Sequence, residues 1–422
     1  MTTLLPLSTK TLTVSDRPEV ELLLCGARTH IDPETAERIR TLLQQDIDWA
    51  YLIQTAGRHG VIPLLYCNLN TTGPEAVPKT ILNQLRSHFH TNALHNLFLT
   101  KELLKLLNLF ETHDIKAIPF KGPILAASAY GNLALRQFCD LDILVHSKDF
   151  LRTKDLLISH DYQPAPTLQR YLLIDAQETI HIQSRNDYTL IGNDGRVCVD
   201  LHQRITTRHF FSFPLDFERL WSRLQPVSLA STTVLNLRPE DLLLILCVHG
   251  TKHLWERLGW ICDVAELVRA HQEMDWQQLM EQARKLGCER MLLLGLFLAS
   301  EFLGAALPEA VHQRIQADSQ SKSLVPHVHK RLFCEAGSPT EGFSFEQFSF
   351  HFTAMERLQD KVHYCVGSLY RYGLVPVIRF INPTFQDQQF LPLPRSLYFL
   401  YYLIRPIRLL GKIGLLIPNT SI

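Results

Sequence analysis

No two of the nine cysteines, at positions 25, 67, 139, 198, 247, 262, 288, 334 and 365, stand in Cys-x-x-Cys spacing, and their number is odd. That pattern argues against a disulfide framework or a zinc knuckle and fits a reduced cytoplasm. No uncharged apolar run approaches the roughly 20 residues that span a bilayer. The opening Met-Thr-Thr-Leu-Leu-Pro-Leu-Ser-Thr-Lys has no basic stretch followed by a long apolar one, so no signal peptide is read. Net charge is missing too: 42 Lys and Arg balance 42 Asp and Glu. A chain-wide basic field for holding nucleic acid is thereby excluded, and stable DNA binding is not expected; a local basic groove remains open.

What is present is ordinary for a globular protein: 422 residues, 46% hydrophobic and 20% charged. That length suggests two or three domains and a core that needs no covalent staples. Residues 18–113 read as helices. Asp32 caps one ahead of Pro33, Asp48 caps another that runs to Gly60, and apolar residues recur at helical spacing from about 80 to 113. The period then changes. Ile115–Phe120, Leu141–Val145, Thr179–Ser184, Tyr188–Ile191 and Arg196–His202 read as strands, with helices from Pro123 to Tyr130 and Lys148 to His160 and a hairpin turn at Gly192-Asn-Asp-Gly195. Helical pattern resumes at Glu240–His253 and Cys262–His271, and 335–345 reads as a loop. The expected organisation is α+β, with a small mixed-sheet core at 114–235 between helical regions 1–113 and 236–422.

One internal echo stands out. Asp48-Trp49, Leu52, Ala56 and Gly60 recur at identical spacing as Asp275-Trp276, Leu279, Ala283 and Gly287. Asp at the start, Gly at the end and Trp, Leu and Ala on one face describe a capped packing helix.

The chemistry centres on Asp140-Leu-Asp-Ile-Leu-Val145. On a strand, residues two apart share a face, roughly 6.6 Å apart. Two converging carboxylates are costly unless a cation sits between them, and magnesium suits that place. Alone, an Asp-x-Asp is more often a solvated strand face. Its surroundings raise its meaning. Phe120-Lys121-Gly122-Pro123 joins a strand to a helix, where Gly lets backbone approach a phosphate and the helix start offers free N–H groups. Cys198-Val-Asp200-Leu-His202 then brings a third carboxylate on another strand.

Strand, Gly turn, helix, Asp-x-Asp strand and later Asp strand together resemble the nucleotidyltransferase superfamily related to DNA polymerase beta. Lys121-Gly122, Tyr130, Arg136, the Asp140–Val145 block, Val199-Asp-Leu-His202 and His249-Gly-x-x-His253-x-Trp255-x-Arg257-Leu-x-Trp260-x-x-Asp263 look more closely like a bacterial family labelled uncharacterised nucleotidyltransferase. The Asp48-Trp49 helix, Leu391-Pro-Leu-Pro394 and Arg405-Pro406 also fit, so the resemblance spans nearly the whole chain. The superfamily's usual Gly-Gly or Gly-Ser pair is Lys121-Gly122 here, and the gap to Asp140 is longer. The resemblance implies Mg2+ (or Mn2+) on Asp140, Asp142 and Asp200, with Asp200 also activating the acceptor. It implies a nucleoside triphosphate such as ATP at Lys121, Gly122 and Arg136, and transfer to a small-molecule, protein or RNA acceptor. A scaffold that binds nucleotide without turnover, and a toxin-like transferase acting on RNA or protein, are the alternatives.

Other residues carry open readings. His249 and His253 have zinc-ligand spacing, but position 250 is Gly where a zinc protease has its Glu. With Lys252, Arg257 and His202 they are candidate substrate contacts; the structural reading is histidines bonded to neighbouring helices. Arg136 fits a triphosphate or Asp140 equally, and Asp263 fits Arg257 or the site. Residues 395–412 carry Arg395, Arg405, Arg408 and Lys412 among aromatic and aliphatic residues and no acid. They can lie on an anionic membrane or pack on the protein's own helices.

Overall fold

Alternation at period two makes Asp140–Val145 a strand, and a sheet assembles around it. The computed structural model describes residues 4–5, 17–166, 187–206, 210–211, 216–334, 344–374 and 391–406. The sheet strands are β1 (Ala117–Pro119), β2 (Asp140–Val145), β3 (Gln163–Pro164), β4 (Asp187–Gly192) and β5 (Val197–His202), in spatial order β1-β2-β5-β4-β3. Only β2 and β5 run parallel; β1 lies antiparallel to β2, and β4 and β5 form a hairpin. Leu141, Ile143, Val145, Val197, Val199 and Leu201 fill one face against the long helix Lys79–Thr112 and the helix Phe150–Ile158. The alternate positions, Asp140, Asp142, Cys198, Asp200 and His202, therefore emerge on the other face.

The helix expected from Pro123 to Tyr130 spans Gly122–Ser128, and that expected over Lys148–His160 spans Phe150–Ile158. The strand at Thr179–Ser184 and most of the 335–345 loop lie outside the described residues. Beyond the expected elements the structure adds the short edge strand β3, an antiparallel pairing of Leu4–Leu5 with Leu307–Pro308, and a hairpin of Gln225–Leu229 with Thr232–Asn236. The hairpin turns at Ala230-Ser231, with φ of 47° and 68°. A left-handed turn built without Gly, Asn or Asp gives no sequence signal.

The helices before and after the sheet share one hydrophobic core. The echo read from the sequence is a structural repeat. Trp49–His59 and Trp276–Leu286 begin with Asp48 and Asp275, which accept from the N–H of Tyr51 (3.0 Å) and Gln278 (2.9 Å). They end at Gly60 (φ 70°) and Gly287 (φ 78°) in the left-handed conformation. The match extends further: Arg17-Pro-Glu19 and Arg238-Pro-Glu240 each open a helix whose Glu accepts from the backbone N–H of Asp48 or Asp275. Four helices follow one packing pattern in each copy, closing with Ile62–Thr72 in the first and Glu289–Leu303 in the second.

Gly250 has a packing cause. A Cβ there would stand 2.5 Å from the indole of Trp255, which is fully buried. Gly250→Ala is therefore expected to lower stability by about 2 kcal/mol through overpacking. Urea unfolding measures this, and an unchanged midpoint would mean the indole is not locked.

Candidate active site

The parallel register sets Asp142 of β2 directly opposite Asp200 of β5, and Asp140 opposite Cys198. Adjacent strands lie about 4.8 Å apart, so the two facing carboxylates converge. Ligand atoms of Asp142, Asp200 and His202 all fall within 4.8 Å of one another, which is the spread of a metal-binding set. Asp140 stands at the start of the same strand face, outside that trio.

Lys121 follows β1 and reaches across to Asp142, its Nζ donating to Oδ1 at 3.2 Å. His202 Nε2 lies 3.0 Å from the same oxygen. Burial opposes the charge on Asp142, but Lys121 and His202 outweigh it and hold the carboxyl below its ordinary range. Asp140 moves the other way: burial and then the charge of Asp142 push it up to about 6. Thr189 lies opposite Asp200 in the hairpin and donates its hydroxyl to Oδ1 at 2.6 Å. Burial and the nearby carboxylates push the Cys198 thiol up to about 12, so it stays protonated.

These groups line a cavity of about 1530 Å³ between the sheet and the helices on both sides of it. Lys121, Arg136, Asp140, Asp142, Asp200, His202, His249, Lys252, His253 and Arg257 all line it. Nearly the whole set read from the sequence is thus brought together, with Arg58, Trp260 and Arg331 added. Gly122 is buried instead, with φ +49° and room for a Cβ only 3.2 Å from the Asp140 carbonyl oxygen. Its place is to let the Lys121 turn pack against β2.

Arg136 is not bonded to Asp140. Its Nε and Nη2 form a two-pronged pair with Asp263 at 2.7 and 2.9 Å, and Tyr130 donates to the same carboxylate at 2.7 Å. Asp263 accordingly pairs with Arg136 rather than with Arg257, whose exposed guanidinium lies 5.8 Å from the Trp260 ring centre. His249 and His253 sit 4.7 Å apart between ring centres, each 5.3 Å from Trp260. Burial, reinforced by Lys121 for His249 and Lys252 for His253, pushes His249 well below its ordinary value and His253 down to about 3. Both are neutral at pH 7, and His249 Nδ1 lies 3.4 Å from Lys121 Nζ. They join no metal-binding set among the described residues.

His59 closes the cavity's helical side. The N–H of Leu258 donates to its Nδ1 at 3.3 Å, so Nε2 carries the proton and donates to the Leu332 carbonyl at 3.0 Å. Burial pushes His59 and His351 down to about 4. Histidines held neutral in the fold protonate more readily once unfolded, so their contribution is complete above about pH 6.5 and lost as pH falls towards 4. The thermal midpoint is expected to drop steadily from pH 7 to pH 4.5. Asp140, with its raised value, acts in the opposite sense, and a flat profile would mean that these histidines are not buried neutral.

A mixed sheet presenting facing carboxylates to a large cavity is the core arrangement of an α+β nucleotidyltransferase. The family model described as "Uncharacterised nucleotidyltransferase" matches residues 45–304, more than half of the chain, and the protein belongs to that family. No curated protein and no solved structure matches it. Among the described residues no helix is long and apolar enough to cross a membrane.

Proposed function

We propose that the protein transfers a nucleoside monophosphate from a nucleoside triphosphate, ATP among the candidates, to a hydroxyl acceptor. The acceptor oxygen bonds to the α-phosphorus, the bond from that phosphorus to the bridging oxygen breaks, and pyrophosphate leaves. The observation that carries this reading is the register of Asp142 against Asp200, with Asp140 on the same face. Carboxylates at that spacing need positive charge. Lys121 supplies one charge to Asp142, while burial first and then the charge of Asp142 raise the proton affinity of Asp140. The oxygen donors of Asp140, Asp142 and Asp200 suit Mg2+, and the imidazole of His202 adds a donor that Mn2+ accepts. Such an ion, when bound, would neutralise charge on the phosphates.

The remaining work falls to side chains. Thr189 occupies Oδ1 of Asp200, which fixes the carboxylate and leaves Oδ2 to receive the proton of the attacking hydroxyl. Lys121, which lies between Asp142 and His249, would contact a phosphate oxygen in this reading. Arg257 offers a cation to an anionic group of nucleotide or acceptor. Neutral His249 and His253 contribute hydrogen bonds rather than ion pairs.

The test is incubation of purified protein with α-labelled nucleoside triphosphates, Mg2+ or Mn2+, and panels of small-molecule, protein and RNA acceptors. Transfer of label with pyrophosphate release is expected. Calorimetry without any nucleotide binding would sink the reading, and binding without turnover on any acceptor would favour a scaffold role. A pH prediction follows from Asp140. Protons compete with cations there, so Mn2+ affinity measured without nucleotide should weaken as pH falls from 7 to 5. Affinity independent of pH would remove Asp140 from the site.

A further inference from the structure

The segment Leu391–Pro406 exposes Leu391, Leu397, Tyr398, Phe399, Tyr402 and Leu403. Arg395–Leu400 is a 3-10 turn, and residues 401–406 continue as α-helix. Tyr401 is 2% exposed and fastens the turn to the arm before it: its hydroxyl donates to the Leu391 carbonyl at 2.9 Å and accepts from the Leu393 N–H at 2.9 Å. Against that staple, Tyr398, Phe399, Tyr402 and Leu403 are 43%, 62%, 49% and 64% exposed. Positions 398, 399, 402 and 403 recur at i, i+1, i+4 and i+5, which places them on one helical face. Among the described residues of the segment Tyr401 is buried and Leu393, Leu400 and Ile404 are half-buried, while this aromatic face stays open.

Charge selects the occupant. From residue 388 to 422 the sequence has Arg395, Arg405, Arg408 and Lys412 and no Asp or Glu, a formal charge of +4 in a chain whose net charge is zero. A two-fold contact with a second copy would press like charges together. An anionic lipid surface attracts them, while tyrosine and phenylalanine rings favour the headgroup boundary. We infer that Leu391–Pro406 is a peripheral membrane-docking element that seats Phe399, Tyr402 and Leu403 in an anionic lipid surface. The docking rests on no feature of the catalytic site.

Sedimentation of the full-length protein with vesicles tests it. Vesicles containing about a third phosphatidylglycerol in phosphatidylcholine should carry the protein down, pure phosphatidylcholine should carry much less, and 0.5 M salt should weaken the binding. Tyr398→Ser/Phe399→Ser/Tyr402→Ser/Leu403→Ser should lose at least about tenfold in affinity, with an unchanged thermal midpoint. Arg405→Glu/Arg408→Glu/Lys412→Glu keeps the apolar face and should lose as much. Absence of wild-type binding, or full binding by either variant, would overturn the inference, as would a concentration-dependent dimer that ignores vesicles.

Discussion

Asp142→Asn and Asp200→Asn are each expected to lower nucleotidyl transfer by a factor on the order of 10³ or more, the scale of removing a group that neutralises phosphoryl charge. Asp142 is the more informative position. It is buried, yet it holds its charge because Lys121 and His202 both reach its Oδ1. Asparagine keeps the shape and one acceptor, so the helices and strands around it should remain in place. What disappears is the negative charge that faces Asp200 across the parallel register. Paired measurements separate fold from chemistry: thermal unfolding reports any loss from leaving Lys121 without its counter-charge, and labelled-nucleotide transfer reports the site. Activity within tenfold of wild type in either variant, with the protein folded, would refute the assignment of these carboxylates. Thr189→Val should give a smaller loss, since it removes only the hydrogen bond that orients Asp200.

The strand face was readable because period two is a local property. Asp140 and Asp142 had to share a face, and hydrophobic Leu141, Ile143 and Val145 had to share the opposite one. That β2 and β5 would be parallel neighbours was not local, and neither was the meeting of Asp142 with Asp200. The hairpin illustrates how one residue count decides a partner. A two-residue turn at Asn193-Asp194 would set Asp187 opposite Asp200. The four-residue turn 193–196 instead pairs Gly192 with Val197 and brings Thr189 opposite Asp200. The orienting hydroxyl was therefore invisible until the register was known. Sequence alone makes His202 a candidate substrate contact; its approach to Asp142 depends on the same register.

The histidine block shows a different limit. Spacing correctly placed His249 and His253 beside each other at the end of one helix, and the cavity gathers them with Lys121. Spacing could not reveal that burial leaves both rings neutral, nor that Gly250 exists to admit the Trp255 ring. Any side chain at position 250, where a zinc protease has its Glu, would meet the Trp255 ring.

Asp263→Ala is expected to destabilise the fold by about 3–5 kcal/mol, because it strands a buried guanidinium. Arg136 has 11% side-chain exposure and Asp263 3%, and the pair joins the loop before β2 to the helix Leu258–Ala270. Tyr130 shares the carboxylate, so its hydroxyl loses its partner in the same substitution. Removing both charges at once, as Arg136→Met/Asp263→Leu, should recover most of the loss, since two well-packed apolar groups replace the buried pair. The double variant also distinguishes two roles for Arg136. If its place is to fix β2 against the Trp260 helix, the refolded double variant retains nucleotide affinity in calorimetry. If Arg136 instead holds the triphosphate, stability returns and nucleotide affinity does not. The bidentate geometry with Asp263 favours the first outcome. A loss below about 1 kcal/mol in Asp263→Ala would mean that water replaces the carboxylate and that the two segments are joined by packing alone.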